Sequence, residues 1–162
     1  MSLQRNRYIE TQQISRQWQF FLQAFAQEFS QKGDVRELRL LMHRLGRRMA
    51  SMVKVSDGSS LQALEDAMNR VWSEMSWGWV ELSEQADALL VLHQFAPLRT
   101  AFGEDASAWT PALLEGIYAQ WFEALGMDST LRLSQRGDEN ADCVLVFELK
   151  KVVDEFAFSG RR

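Results

Sequence analysis

With 162 residues, 46% hydrophobic, 25% charged, nine glycines and two prolines, the chain has the make-up of one folded domain, 1–162, that can bury a core without metal or disulfide support. A formal net charge of −4 excludes a protein whose whole surface tracks a nucleic-acid backbone, and no nucleic-acid partner is expected. The single cysteine, Cys143, excludes an intramolecular disulfide.

Residues 1–12 carry basic groups with no apolar run behind them and no small-residue cleavage site, so they predict a flexible N-terminal segment rather than a signal peptide. No window approaches eighteen apolar residues, so no transmembrane segment is expected and the chain is placed in the cytoplasm. The first helical stripe is Ile14, Trp18, Phe21, Leu22, Phe25 and Phe29, at spacings of three and four, with Phe20 off the stripe. Gly33 breaks it. Asp34, with Glu37 three residues later, predicts a capped second helix bearing Leu38, Leu41, Leu45, Met49 and Met52. A turn over Ser56–Ser60 then caps a third helix carrying Leu61, Leu64, Met68, Val71, Trp72 and Met75.

After Trp77-Gly78 the period shortens, and strands are expected over Trp79–Leu82 and Leu89–Phe95. A loop from Pro97 to Ala108 leads to Thr110-Pro111, read as a cap with proline at the first helical position, and a helix through Leu114, Ile117, Tyr118, Trp121 and Leu125 that stops at Gly126. Strands over Thr130–Ser134 and Cys143–Leu149 close the pattern, with 151–162 as a C-terminal tail. Three helices followed by hairpin, helix and hairpin predict an α+β fold: a four-stranded antiparallel sheet packed on helices.

Charge is uneven along this order. Residues 1–60 hold ten Lys and Arg against five Asp and Glu, and the remainder eight against seventeen. A basic helical layer beside an acidic sheet half favours contact between copies in a fixed orientation.

The sequence lacks a glycine-rich phosphate loop, a nucleophile elbow and a His-Glu-x-x-His helix, so no enzyme and no cofactor are expected. Cys143, His43 and His93 are too few ligands for zinc, and each is read as structural; no metal is expected. Glu115 and Glu123 share a helix but stand about 12 Å apart along its axis, too far for a glycosidase pair. Glu81 and Glu115 would need the fold to bring them together.

The six tryptophans are the unusual resource. Trp18, Trp72 and Trp121 sit at core spacing on helices, and Trp77 and Trp79 flank Gly78 with the same facing. Trp109, in a loop before a helix, is the expected exposed tryptophan. Interface contacts are assigned to Phe20, Phe21 and Phe25, whose aromatic surface exceeds what one buried stripe needs, and to Trp109.

The stretch from Trp77 and Gly78 to Leu82, the strand ending Val91-Leu92-His93, and the run Trp109 to Trp121 with Leu114, Glu115, Gly116 and Tyr118 resemble the bacterial cellulose synthase operon protein D family. The resemblance covers roughly residues 60 to 125, and the termini agree only in pattern. It implies a non-catalytic accessory subunit partnering the membrane-embedded synthase, a homo-octamer built from dimers, and a role in guiding nascent β-1,4-glucan or aligning synthases for crystallisation. It also implies that the N-terminal segment lines the interior of the assembly, where Gln4, Arg5, Asn6, Arg7 and Tyr8 would contact glucan through planar polar groups and a ring. The absence of an export signal favours a scaffold acting from the cytoplasm, at the inner-membrane synthase. The same layout is similar to small-ligand-binding domains of the 4-vinyl reductase and trafficking-complex type, which bind hydrophobic ligands or act as dimeric adaptors.

Overall fold

A computed structural model describes residues 2–152 of the chain. Four helices precede the first strand: α1 (Ser2–Gln12), α2 (Arg16–Lys32), α3 (Val35–Met52) and α4 (Leu61–Met75). Then come β1 (Trp79–Glu84), β2 (Ala88–Gln94), a short α5 (Leu98–Phe102), a 3-10 turn over Glu104–Ala106, α6 (Ala112–Ala124), β3 (Leu131–Gln135) and β4 (Val144–Lys151). The α+β class and the two hairpins around a helix are as expected. Two stretches differ. Residues 2–12 form a helix, although their sequence has no apolar stripe to announce it. The expected loop before α6 is folded into α5 and the 3-10 turn. Of the expected tail, residues 153–162 lie outside the described residues.

Local chemistry sets the helix ends. The Asp34 carboxylate accepts from the Arg36 N–H, and the Ser60 hydroxyl accepts from the Ala63 N–H at the start of α4. Thr110 behaves otherwise than expected: its hydroxyl donates backward to the Ala106 carbonyl at 3.0 Å, and α6 starts after Pro111. Its donor is thus spent on the preceding turn.

The four strands run antiparallel in the order β1-β2-β4-β3. Val80, Val91, His93, Leu145, Phe147 and Leu149 project to the buried face, as strand alternation requires. Helix α6 is apolar almost all round and is buried accordingly, packing on α3 and touching β3. Helix α4 runs beside β1, where the Asn69 side-chain amide both donates to the Val80 carbonyl (2.9 Å) and accepts from its N–H (2.8 Å). Glu65 accepts from the Leu82 N–H in the same row.

Helices α3 and α6 cross through two glycines. A Cβ on Gly46 would stand 2.0 Å from the Leu113 carbonyl oxygen, and one on Gly116 would stand 2.1 Å from that of His43. Around the crossing, Arg47 makes a two-point pair with Glu123 (2.9 and 2.5 Å), and Arg39 pairs with Glu115 at 3.3 Å. The Arg47 hydrogen bond holds the Glu123 carboxyl below its usual range.

Candidate functional site

Helix α2 is amphipathic in sequence but docks by its polar residues. Gln13, just ahead of it, donates to the Phe95 carbonyl at 2.7 Å, and Gln19 and Gln23 both donate to the Thr100 carbonyl, at 3.2 and 3.3 Å. Near its other end the Ser30 hydroxyl accepts from the Trp109 indole N–H. These contacts seat α2 on α5 and the 3-10 turn, and Ala26 is its buried residue.

The aromatic side is left open. Trp18 is 61% exposed, Phe20 63% and Phe21 58%. Trp18, Phe21, Phe25 and Phe29 form a continuous ladder with centroid separations of 5.9, 6.4 and 4.4 Å. Across from it, Leu45, Met49 and Met52 of α3 line the other wall of a groove of about 600 Å³, floored by Leu22, Met42, Trp77, Leu98 and Phe102. Arg48 stands on its rim. Chemically this is an oily cleft with polarizable thioethers and stacked rings, suited to receiving apolar surface. An exposed aromatic patch of this kind, rimmed by polar groups, marks a binding surface.

Of the residues assigned to interface contacts, Phe21 and Phe25 therefore lie in the groove wall, and Phe20 lies beside it under the Arg16 guanidinium, 5.9 Å from its ring centre. Trp109 does not join them. It is 2% exposed, because α5 and the 3-10 turn fold the segment inward and set Trp109 against Phe102. Trp18 is the reverse correction: read as core, it stands in the open. Trp79 is 40% exposed and leans on Phe95, while Trp77 stacks on Trp72, so the two do not share a facing; Gly78, at φ +75°, turns the chain between them. A Cβ on Gly78 would meet the Gln94 carbonyl oxygen at 1.9 Å.

The N-terminal candidates ride on α1. Gln4, Arg5 and Tyr8 are exposed and Asn6 is half-buried; the Arg7 side chain lies outside the described residues. Gln4 and Tyr8, four apart, share a helical face. The three carboxylates considered for catalysis have other partners: Glu81 accepts from Gln94, Glu115 from Arg39 and the Gln135 N–H, and Glu123 from Arg47.

Leu114, Tyr118 and Trp121 belong to the interior, and Trp77 is half-buried against them. His93 is fully buried; its Nε2 lies 2.6 Å from the Trp77 carbonyl and its Nδ1 2.6 Å from the Tyr118 hydroxyl. A carbonyl can only accept, so Nε2 carries the proton and the Tyr118 O–H donates to Nδ1. Trp72 packs on His93, Tyr118 and Trp121 around this pair. Sequence reasoning placed His93 as structural but had no means of seeing its partners, which come from two other segments.

Burial pushes the His93 imidazole down to about 4. The unfolded chain takes up a proton near pH 6.5 that the fold refuses, so the stability this group gives is complete above that pH. It drains away as pH falls toward 4, by up to about 3 kcal/mol. Urea midpoints should therefore decline between pH 6.5 and 4 more steeply in the native protein than in His93→Gln. Parallel declines in the two proteins would contradict this.

Residues 4–148 match the cellulose synthase D-subunit family. A cellulose synthase operon protein D from Komagataeibacter xylinus is 28% identical over 103 residues, covering 62% of this chain and 66% of that protein. A protein of the same description from Komagataeibacter sucrofermentans matches with the same identity and coverage. The matched stretch thus spans just under two thirds of the length of these relatives.

Proposed function

The chain belongs to the cellulose synthase D-subunit family, and from that premise we propose that it is a non-catalytic accessory subunit of bacterial cellulose synthase. In this reading it forms a homo-oligomeric ring, dimers assembling to an octamer, that organises synthase complexes and nascent β-1,4-glucan chains for secretion and crystallisation. The observation that carries it is α2, which hydrogen-bonds its polar residues to its own chain and offers Trp18, Phe20 and Phe21 outward. Apolar surface held open in this way is stabilised when a second surface covers it. The basic first 60 residues and the acidic remainder add orientation to that contact.

We place the scaffold in the cytoplasm, at the inner-membrane synthase. No described helix is long and apolar enough to cross a membrane, so attachment in this reading runs through other subunits. Light scattering coupled to size exclusion tests the assembly: about eight chains per particle is the expected result. The open groove also fits a second reading, a monomeric or dimeric domain that binds a small hydrophobic ligand or acts as an adaptor. A one- or two-chain particle would turn the interpretation to it.

Glucan contact is assigned to Gln4, Arg5, Asn6, Arg7 and Tyr8, whose amide, guanidinium and ring groups match sugar hydroxyls and sugar faces. Removing residues 2–8 should weaken cello-oligosaccharide binding at least about tenfold, a loss of one or two good polar contacts, while the particle mass holds. Unchanged binding would refute the assignment.

A further inference from the structure

A second apolar recess opens at the far end of the sheet, away from α2. Here the paired Leu89 on β2 and Leu149 on β4, with Leu131 at the start of β3, meet Leu61 at the start of α4, leaving a groove of about 720 Å³. One side of its rim is acidic, with Glu84 and Asp87 from the β1–β2 turn, and the other is basic, with Lys150 and Lys151. The chain leaves the sheet at this mouth: Lys150 and Lys151 line it, and the Val152 N–H is tied to the Thr130 carbonyl at 2.9 Å. The next ten residues read Val-Asp-Glu-Phe-Ala-Phe-Ser-Gly-Arg-Arg.

We propose that this groove is the docking site for the chain's own residues 153–162, with Phe156 and Phe158 as the anchors. Three observations favour that occupant. Distance is no obstacle, because four to six residues reach about 13–20 Å and the segment starts on the rim. The chemistry matches: two phenyl rings two residues apart project to one side of an extended segment, toward a wall of leucines. The charges match as well, since Asp154 and Glu155 follow directly on the lysine side, while Arg161 and Arg162 suit Glu84 and Asp87. A tethered segment also docks without the translational cost that a separate partner bears. The proposal does not depend on how copies assemble.

Disulfide trapping in the full-length chain tests it. In a Cys143→Ser background, cysteines replace Leu61 at the groove mouth and Phe158 in the segment, and mild oxidation is followed on a denaturing gel. A bond within one chain is expected. Bonds between chains would overturn the proposal by assigning the segment to a neighbouring copy, and no bond would overturn it outright. A second variant leaves the groove intact: Phe156→Ser with Phe158→Ser should speed amide exchange at residues 88–90 and 131–133 about tenfold, with α3 unaffected. Equal exchange in the two proteins would be incompatible with docking.

Discussion

Gly116→Leu should leave little stably folded protein. The group it would strike is the backbone of α3: a Cβ at 116 lies 2.1 Å from the His43 carbonyl oxygen and 3.1 Å from the Arg47 nitrogen. A flexible side chain could swing away from such an intrusion, but a helix backbone cannot without lifting α3 off α6. Gly46 meets Leu113 in the same way from the other side, so the crossing has no slack in either direction. Lifting would reopen the contacts of Met42, Ala50, Leu113 and Ile117, all buried in the core. Ordinary overpacking costs 1–3 kcal/mol; here the loss should be about 3 kcal/mol or more, a large share of the stability of a domain this size. Urea unfolding followed by circular dichroism reads the effect. Gly58→Ala is the matched control, since its Cβ would sit 3.5 Å from Leu125, an ordinary contact, and should change stability by less than about 0.5 kcal/mol. A Gly116→Leu protein with the native midpoint would show that α3 and α6 do not pack as described.

Phe21→Asp should cut the solution mass of the particle while leaving each protomer helical. Phe21 is 58% exposed and stands in the groove wall between Trp18 and Phe25, so a carboxylate there is well solvated in a lone protomer. In a contact between copies the same carboxylate would be stripped of water against phenyl rings and thioethers, at a cost of several kcal/mol. Each 1.4 kcal/mol is tenfold in affinity, so association should weaken by at least about a hundredfold. Phe20→Asp, on the Arg16 side of the helix, should weaken it less if the groove is the contact, and more if the contact runs over the outer flank. Native mass in both variants would remove α2 from the assembly.

Much of this fold was readable in the sequence because local chemistry and periodicity agree there. The Asp34 and Ser60 caps, the stripes of α3 and α4 and the turn at Gly126 each point to one conformation, and the strands fall within about two residues of where alternation puts them. The candidate site was only half readable. The stripe of α2 was plain, but periodicity reports that a face is apolar and says nothing of what covers it, so Trp18 looked like core. Of α2, Ala26 enters the core, which otherwise closes through Met42, Trp72, Trp109 and α6 without the aromatic stripe. Trp109 misled in the opposite sense, because a residue outside the regular pattern reads as loop until α5 and the 3-10 turn fold over it. Trp77, Tyr118 and Trp121 carried the resemblance to the family, and their placement explains why they are informative about fold. The Trp77 carbonyl and the Tyr118 hydroxyl hold one buried imidazole and Trp121 packs on Tyr118 behind it, so they identify the architecture and leave the contact surface to be found elsewhere.

The amide of Asn69 bears on what happens when many copies are crowded together. By answering both backbone groups of Val80, with Glu65 answering Leu82, helix α4 imitates a neighbouring strand and seals that margin of the sheet. A bare margin is a template on which another chain can register and keep adding, the route to fibres rather than particles of defined size. A protein that assembled with its own copies, as proposed above, would be especially open to that error. On the β1 side the gap is filled by a side chain from a helix, and a side chain offers no further edge to copy.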